Sequence, residues 1–424
     1  MKELKKMTES ELTDFKNQTL ARYNDFKSRN LKIDMSRGKP SPAQLDLSNE
    51  LFTKVNESTG FKDETGMDSR NYGNLAGIPE MRRLFGEIFD MPAENVIIGG
   101  TASLTMMFDF ISQCYSRGIG STPWCKVDDV KFLAVVPGYD RHFSIAEYFG
   151  IKLINVPITP AGPDMDLVEE LIKDSSVKGM FCVPKYSNPD GITYSEEVVD
   201  RLAKMKPAAE DFRVIWDNAY CIHDLYDTTD YLPNIIKEAA KYGNEDNFIM
   251  FASTSKVTVA GGGVAALSCS DNNMKMILER MNCQIIGNDK VNQLRHAKMF
   301  SSLDDVKAHM KKHAAILRPK FEAVLEILDN ELSELGIASW VKPRGGYFIS
   351  LSLNTGSAKY CGRLCKEAGL TLTNVGAVYP YGIDPNDSVI RIAPSYPEVD
   401  DLKLCAELLC ICAKLAAIKE IEEG

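Results

Sequence analysis

In this chain of 424 residues, the stretch best suited to covalent chemistry is FIMFASTSKVTVAGGGVAAL, positions 248–267. There Lys256 follows Ser253, Thr254 and Ser255, no other charged residue lies within the stretch, and three consecutive glycines break it further on. Burial lowers the pKa of an ammonium and frees its lone pair for attack on a carbonyl. The other reading is a lysine whose stem covers a strand end while its head reaches water. Asp217 closes the apolar run FRVIW and opens DNAY. A buried carboxylate needs a cationic partner or several donors. One such partner is a protonated pyridine nitrogen, a pairing that makes the ring an electron sink. Asp217 and Lys256 together favour a pyridoxal phosphate site over either residue alone.

Other motifs are compatible with the same chemistry, each with a plainer alternative. GGTASL, at 99–104, runs from a strand pattern into a helical one. The amides of Gly100, Thr101 and Ala102 could therefore meet a phosphate at a helix N-terminus, although a Gly-Thr turn without full dinucleotide or P-loop spacing also occurs as a simple tight turn. Tyr139 in PGYDRHF could stack on a flat ring or fill core. Asn188 in SNPDG could serve turn geometry alone. Arg391 in VIRIAPS is a charge inside an apolar strand, to be satisfied either by a substrate carboxylate gripped in bidentate fashion or by an internal ion pair.

The elements that must position these residues are visible as short β-rich runs between helical patterns: NVII (95–98), FLAVV (132–136), KLINV (152–156), GMFCV (179–183), FRVIW (212–216), FIMFA (248–252) and VAALS (264–268). That alternation predicts an α/β domain with a mostly parallel sheet, whose ligand lies beyond the carboxyl ends of the strands. From about residue 271 the pattern turns helical. GGYFISLSL and VIRIAPS then predict strands of a smaller unit that closes with a helix over 398–423.

Composition narrows the class. With 44% hydrophobic and 25% charged residues the chain reads as globular, and a formal charge of −10 without a basic stripe argues against nucleic acid as the main partner. No run approaches the roughly 18 apolar residues of a membrane helix. The opening segment reads as a helix with a Thr8/Glu11 capping box, not as a secretory signal, so a cytoplasmic location is expected. The eleven scattered cysteines read as reduced thiols, with Cys361, Cys365, Cys405, Cys410 and Cys412 at helix-core spacing instead of metal-ligand spacing. His309 and His313 share a helix face but lack an intervening glutamate, and are read as solvated.

SRGKP, NYGNLAGIPEMRRLF, GGTASL, YSNPDG, DNAY, STSK and VIRIAPS stand in the order and approximate spacing of the aspartate aminotransferase family, fold type I of the pyridoxal phosphate enzymes. The resemblance covers nearly the whole chain. STSKVTVAGGGVAAL and GGTASL are similar to a divergent subgroup that also resembles the aminotransferase-like half of certain pyridoxal-dependent regulators. The resemblance implies a large cofactor-binding domain over 51–317 and a smaller α+β domain built from 318–424 and part of an arm over 1–50. It further implies pyridoxal 5'-phosphate held on Lys256 as an internal aldimine, with Asp217 on the ring nitrogen and His142 behind it. Tyr220 and Asn188 would bond the phenolic oxygen, and Tyr139 would stack on the ring. Gly100, Thr101, Ser253 and Ser255 would cradle the phosphate, helped by Tyr72 from the second subunit of a homodimer. Gly38 and Arg391 would meet the substrate α-carboxylate, and Arg37, Arg141 and Arg295 are candidates for a distal one.

The implied reaction is ping-pong transamination between an amino acid and a 2-oxo acid, aspartate and 2-oxoglutarate first among them. Another amino-acid aminotransferase, or a lyase or decarboxylase on the same fold, is the alternative. A ligand-sensing regulator would need a DNA-binding module, for which the segment before MSRGKP is too short. In one respect the sequence departs from the family: Gly261, Gly262, Gly263 and Val264 occupy the region where an arginine usually binds the phosphate.

Overall fold

A computed structural model describes residues 3–423. Its larger sheet has eight strands in the order Val96–Ile98, Ala265–Cys269, Phe248–Ser253, Arg213–Asp217, Val177–Cys182, Lys131–Val136, Lys152–Thr159 and Gly162–Pro163. The five from Phe248–Ser253 to Lys152–Thr159 are parallel. Ala265–Cys269 runs antiparallel to both its neighbours, and Gly162–Pro163 folds back at the far edge. The central strands are apolar on both faces because helices cover both faces; every residue of Arg213–Asp217 is buried. The mostly parallel sheet is therefore the one the sequence pattern predicts, with Ala265–Cys269 and the short edge strand Gly162–Pro163 supplying the antiparallel pairings.

The smaller unit is a three-stranded antiparallel sheet of Ala338–Trp340, Ile349–Leu353 and Val389–Ile392, with helices Ala358–Glu367 and Val399–Glu423 packed against it. The N-terminal chain belongs to the same body. Its helix Glu9–Ser28 starts at a capping box of Thr8 and Glu11, and the Tyr23 hydroxyl donates to the Leu364 carbonyl at 3.0 Å. Ile33–Asp34 then pairs in parallel with Leu370–Thr371. Cys361, Cys365, Cys405, Cys410 and Cys412 are free and buried between the helices, as their spacing implies.

The long helix Leu303–Leu332 corrects one expectation. His309 and His313 are not solvated; they are 4% and 1% exposed. Val306, Met310, Ala314 and Leu317 form the buried stripe of this helix, and the two histidines fall within it at helical spacing. Among the described residues no helix is long and apolar enough to cross a membrane.

Candidate active site

Four neighbouring parallel strands, Lys131–Val136, Val177–Cys182, Arg213–Asp217 and Phe248–Ser253, end side by side, and the residues just beyond them line two adjoining cavities. The smaller holds about 210 Å³ and is lined by Ala102, Ser103, Tyr139, Asn188, Asp217, Tyr220, Ser253, Ser255 and Lys256, among others. Asp217 is the last residue of its strand and is 3% exposed. Its Oδ2 lies 3.1 Å from His142 Nε2, and that imidazole stacks on Phe181 with ring centres 4.9 Å apart. The other oxygen, Oδ1, is buried without a hydrogen-bond partner. Leaving a buried acceptor unmatched costs roughly 1–3 kcal/mol, more when it is charged, so this atom calls for a donor. A protonated ring nitrogen is such a donor, and the residues present fit the cofactor on this point.

Lys256 ends a single 3₁₀ turn, Thr254–Lys256, that follows strand Phe248–Ser253 directly. Its Nζ lies 5.1 Å from the centre of the Tyr220 ring. The Ser253 and Ser255 hydroxyls are 2.7 Å apart and each lies 3.1 Å from the Thr101 carbonyl. Helix Ser103–Ser116 opens beside them from an extended Ala102 with no side-chain cap, so its first amides are free for an anion. Gly263 is needed for this approach: a Cβ there would sit 2.9 Å from the amide and hydroxyl of Ser255. Lys256 is the one cation lining this cavity among the described residues. Buried Val264, at the end of the glycine run, offers no charge either.

The larger cavity, about 510 Å³, shares Tyr139, Asn188, Tyr220 and Lys256 with the smaller and adds Arg37, Gly38, Lys39, Asp140, Arg141, Phe348, Thr373 and Arg391. Arg391 is 7% exposed. Its Nε donates to Thr373 Oγ1 at 3.2 Å, and its Nη1 reaches Asp140 Oδ1 at 3.2 Å and Asn188 Oδ1 at 3.4 Å. Both sequence alternatives for Arg391 thus hold together: it has an internal ion pair and it lines a cavity, with no hydrogen bond from Nη2 to a described residue. Gly38 is required by shape, since a Cβ would meet Phe348 Cζ at 2.4 Å. Burial holds the Tyr139 phenol up at about 12, with Lys256 pulling the other way, and raises that of Tyr220 further, so both are neutral at physiological pH.

Four expected residues lie elsewhere, Thr101 among them, which meets the site only through the carbonyl that the Ser253 and Ser255 hydroxyls approach. Gly100 sits one step back from the smaller cavity, its carbonyl accepting from the Ala265 amide at 2.8 Å. Tyr72 is 77% exposed and lines neither cavity of its own chain. Arg295 lies on helix Lys290–Met299 and lines neither cavity of its own chain, whereas Arg37 and Arg141 line the larger one. Sequence reasoning missed Lys39, Ser103, Asp140 and Phe348. Lys39 and Ser103 are inside motifs already quoted, SRGKP and GGTASL; Phe348 shows its role only once Gly38 is packed against it.

The family described as aspartate amino-transferase matches residues 7–423. The chain belongs to the aspartate aminotransferase family. The aspartate aminotransferase of Corynebacterium glutamicum is 46% identical to it over 398 residues, covering 93% of this chain and 92% of that relative. The crystal structure of an aspartate transaminase from the same organism superposes with a TM-score of 0.97 at 44% identity, covering 99% of each chain. An α-aminoadipate aminotransferase from Thermus thermophilus, solved with N-(5'-phosphopyridoxyl)-L-leucine, shares the fold at 18% identity and a TM-score of 0.72, over 96% of this chain and 95% of that one. The protein is an aminotransferase of fold type I.

Proposed function

We propose that this aminotransferase holds pyridoxal 5'-phosphate on Lys256 and moves an amino group between aspartate and 2-oxoglutarate in two half-reactions at one site. The observation that carries the reading is the unpaired, buried Oδ1 of Asp217 in the cavity that also holds Lys256 and the serine pair. When bound, the cofactor supplies an electron sink for the pair left on the substrate's α-carbon when its proton departs. Asp217, braced by His142, keeps a proton on the group facing it. Ser253, Ser255 and the first amides of helix Ser103–Ser116 bind a phosphate. Tyr139 packs against a flat ring, and Asn188 and Tyr220 orient it through their polar ends. Lys256 Nζ takes and returns the α-proton. Arg391 grips the α-carboxylate and turns the α-hydrogen towards the lysine.

Two observations support a dicarboxylic substrate. Arg37, Lys39 and Arg141 converge on the larger cavity without an ion pair to a carboxylate among the described residues, although the charges of Arg37 and Lys39 act on Asp34 and Lys39 lies 3.9 Å from the centre of the Tyr396 ring. Two of the three relatives named above carry aspartate in their names. A homodimer belongs to the same proposal, with Tyr72 of one protomer completing the phosphate cradle of its partner. The test is a half-reaction screen: the holoenzyme is mixed with one amino acid at a time, without a 2-oxo acid, and the absorption change from aldehyde to amine cofactor is timed. Aspartate and glutamate should convert it fastest. Conversion by no amino acid contradicts the aminotransferase reading; conversion by monocarboxylic amino acids alone contradicts the aspartate reading.

A further inference from the structure

All five histidines of the chain are buried, between 0% and 4% exposed. His142 braces Asp217, while His223, His296, His309 and His313 gather around the underside of the turn that presents Lys256. Such a turn needs outside support. Being a single 3₁₀ turn, it leaves the carbonyls of Lys256 and Val257 without helical amides to accept from. The Val257 carbonyl instead accepts from His309 Nε2 at 2.8 Å, and the Lys256 carbonyl lies 3.5 Å from the Tyr347 hydroxyl. One residue further on, Thr258 Oγ1 lies 2.9 Å from His296 Nε2.

The contacts continue away from the lysine. His313 Nε2 is 3.2 Å from His309 Nε2, and the Gln44 amide spans His313 Nδ1 at 3.1 Å and the Tyr347 hydroxyl at 2.9 Å. Gln44 Oε1 also accepts from the Ser41 amide at 3.1 Å. Ser41 closely follows Arg37, Gly38 and Lys39, which line the larger cavity, and Tyr347 precedes Phe348, which lies beneath the Arg391 guanidinium at 4.9 Å. Gln44, Tyr347 and His313 are 0% to 1% exposed, so water does not compete for these bonds.

We propose that Gln44, His309, His313 and Tyr347 are positioning residues: one buried polar network sets the Lys256 turn and the substrate-facing segment Arg37–Lys39 in a fixed relation. Packing alone does not require polar groups here, since an apolar core of the same shape is at least as stable. What a buried hydrogen-bonded network adds is a preferred geometry. The Val257 carbonyl can only accept, so His309 Nε2 carries its proton; Gln44, whose Oε1 accepts from Ser41, donates from Nε2 to His313 Nδ1 and to Tyr347, so the link from the turn to Ser41 runs through Tyr347 and Gln44. Without the His309 donor the Val257 carbonyl is left buried and unmatched, and the turn shifts to satisfy it. Displacement of a reacting group by about 1 Å can cost about 10²-fold in rate.

The inference rests on the aminotransferase reading, and wild-type half-reaction kinetics check that reading separately. The test compares His309→Leu with His309→Gln, whose amide can still donate to Val257. The leucine variant should lose about 10- to 100-fold in kcat with KM for aspartate nearly unchanged, because proton transfer and not binding depends on where Nζ sits. It should also shift the pH midpoint at which the bound cofactor's absorption changes, while retaining the cofactor through desalting. The glutamine variant should restore both. Gln44→Leu, one link further from the lysine, should lower kcat in the same sense by a smaller factor and provides the test if His309→Leu does not fold. Wild-type kcat and midpoint in the folded leucine variants, with only the melting temperature lowered, would overturn the proposal; so would a loss that His309→Gln fails to rescue.

Discussion

The two cavities share four residues yet are built on opposite principles. The smaller is made of Lys256, neutral donors and one unpaired carboxylate oxygen, within a few residues of the carboxyl ends of strands of the large sheet. The larger is ringed by Arg37, Lys39, Arg141 and Arg391, brought together from the N-terminal arm, the helix after strand Lys131–Val136 and the last strand of the smaller unit. A cofactor that stays in place is suited by rigid sheet edges, which hold donors to a fixed geometry. A substrate that enters and leaves as an anion is suited by cations on segments from two bodies. Chemistry should therefore fail when the first cavity is altered, and selectivity when the second is.

The strongest test of that division is Lys256→Ala, which should abolish multiple turnover. Loss of a positioned acid–base group alone costs about 10²–10⁴-fold, and the covalent anchor goes with it; steady-state turnover near the wild-type rate would break the assignment. Asp217→Ala should follow, with the half-reaction slowed on the order of 10²-fold by loss of preorganised charge stabilisation and cofactor occupancy less affected. Arg37→Ala and Arg141→Ala should act on the other cavity only. A lost charge-assisted hydrogen bond of about 1.5–3 kcal/mol predicts a KM for aspartate and 2-oxoglutarate raised about 10- to 100-fold, while the half-reaction with alanine changes little. Equal losses for alanine and aspartate would erase the distinction between the cavities.

The smallest effect concerns the layer beneath both. Burial lowers the pKa values of His223, His296, His309 and His313, those of His296 and His313 to about 4. An unfolded histidine takes up its proton near pH 6.5. Stability from these groups is therefore complete above about 6.5 and is lost as pH falls towards about 4, by up to about 1.4 kcal/mol per unit for each. Melting temperature should drop between pH 7.5 and 5.5, and less steeply in His313→Gln. A flat profile for the wild type would mean that these histidines take up protons alike in the folded and unfolded chain.

How legible each region was in the sequence follows from the same division. Asp217, Tyr220, Ser253, Ser255 and Lys256 were readable because a strand end and the turn after it are local, and because apolar runs of strand length announce them. The smaller unit was readable in its strands and last helix, but not in the way Ile33–Asp34 joins it through residues 370–371, a pairing across more than 300 positions. The cations could be named but not sorted, since Arg37 and Arg295 look alike until the fold puts one in a cavity and the other outside. His309 and His313 were misread for want of a zinc-site glutamate, although Val306, Met310 and Leu317 already marked the buried stripe that contains them.

The most direct test of the central claim, that the two cavities form one cofactor site centred on Lys256, is to fix the cofactor to its lysine by borohydride reduction of the holoenzyme and map it by peptide mass spectrometry. The account predicts one modified residue, Lys256, in the peptide that follows FIMFASTS, with stoichiometry near one per chain. Modification at another lysine, such as the buried Lys185 or Lys290, or absence of modification in cofactor-loaded protein, would contradict it.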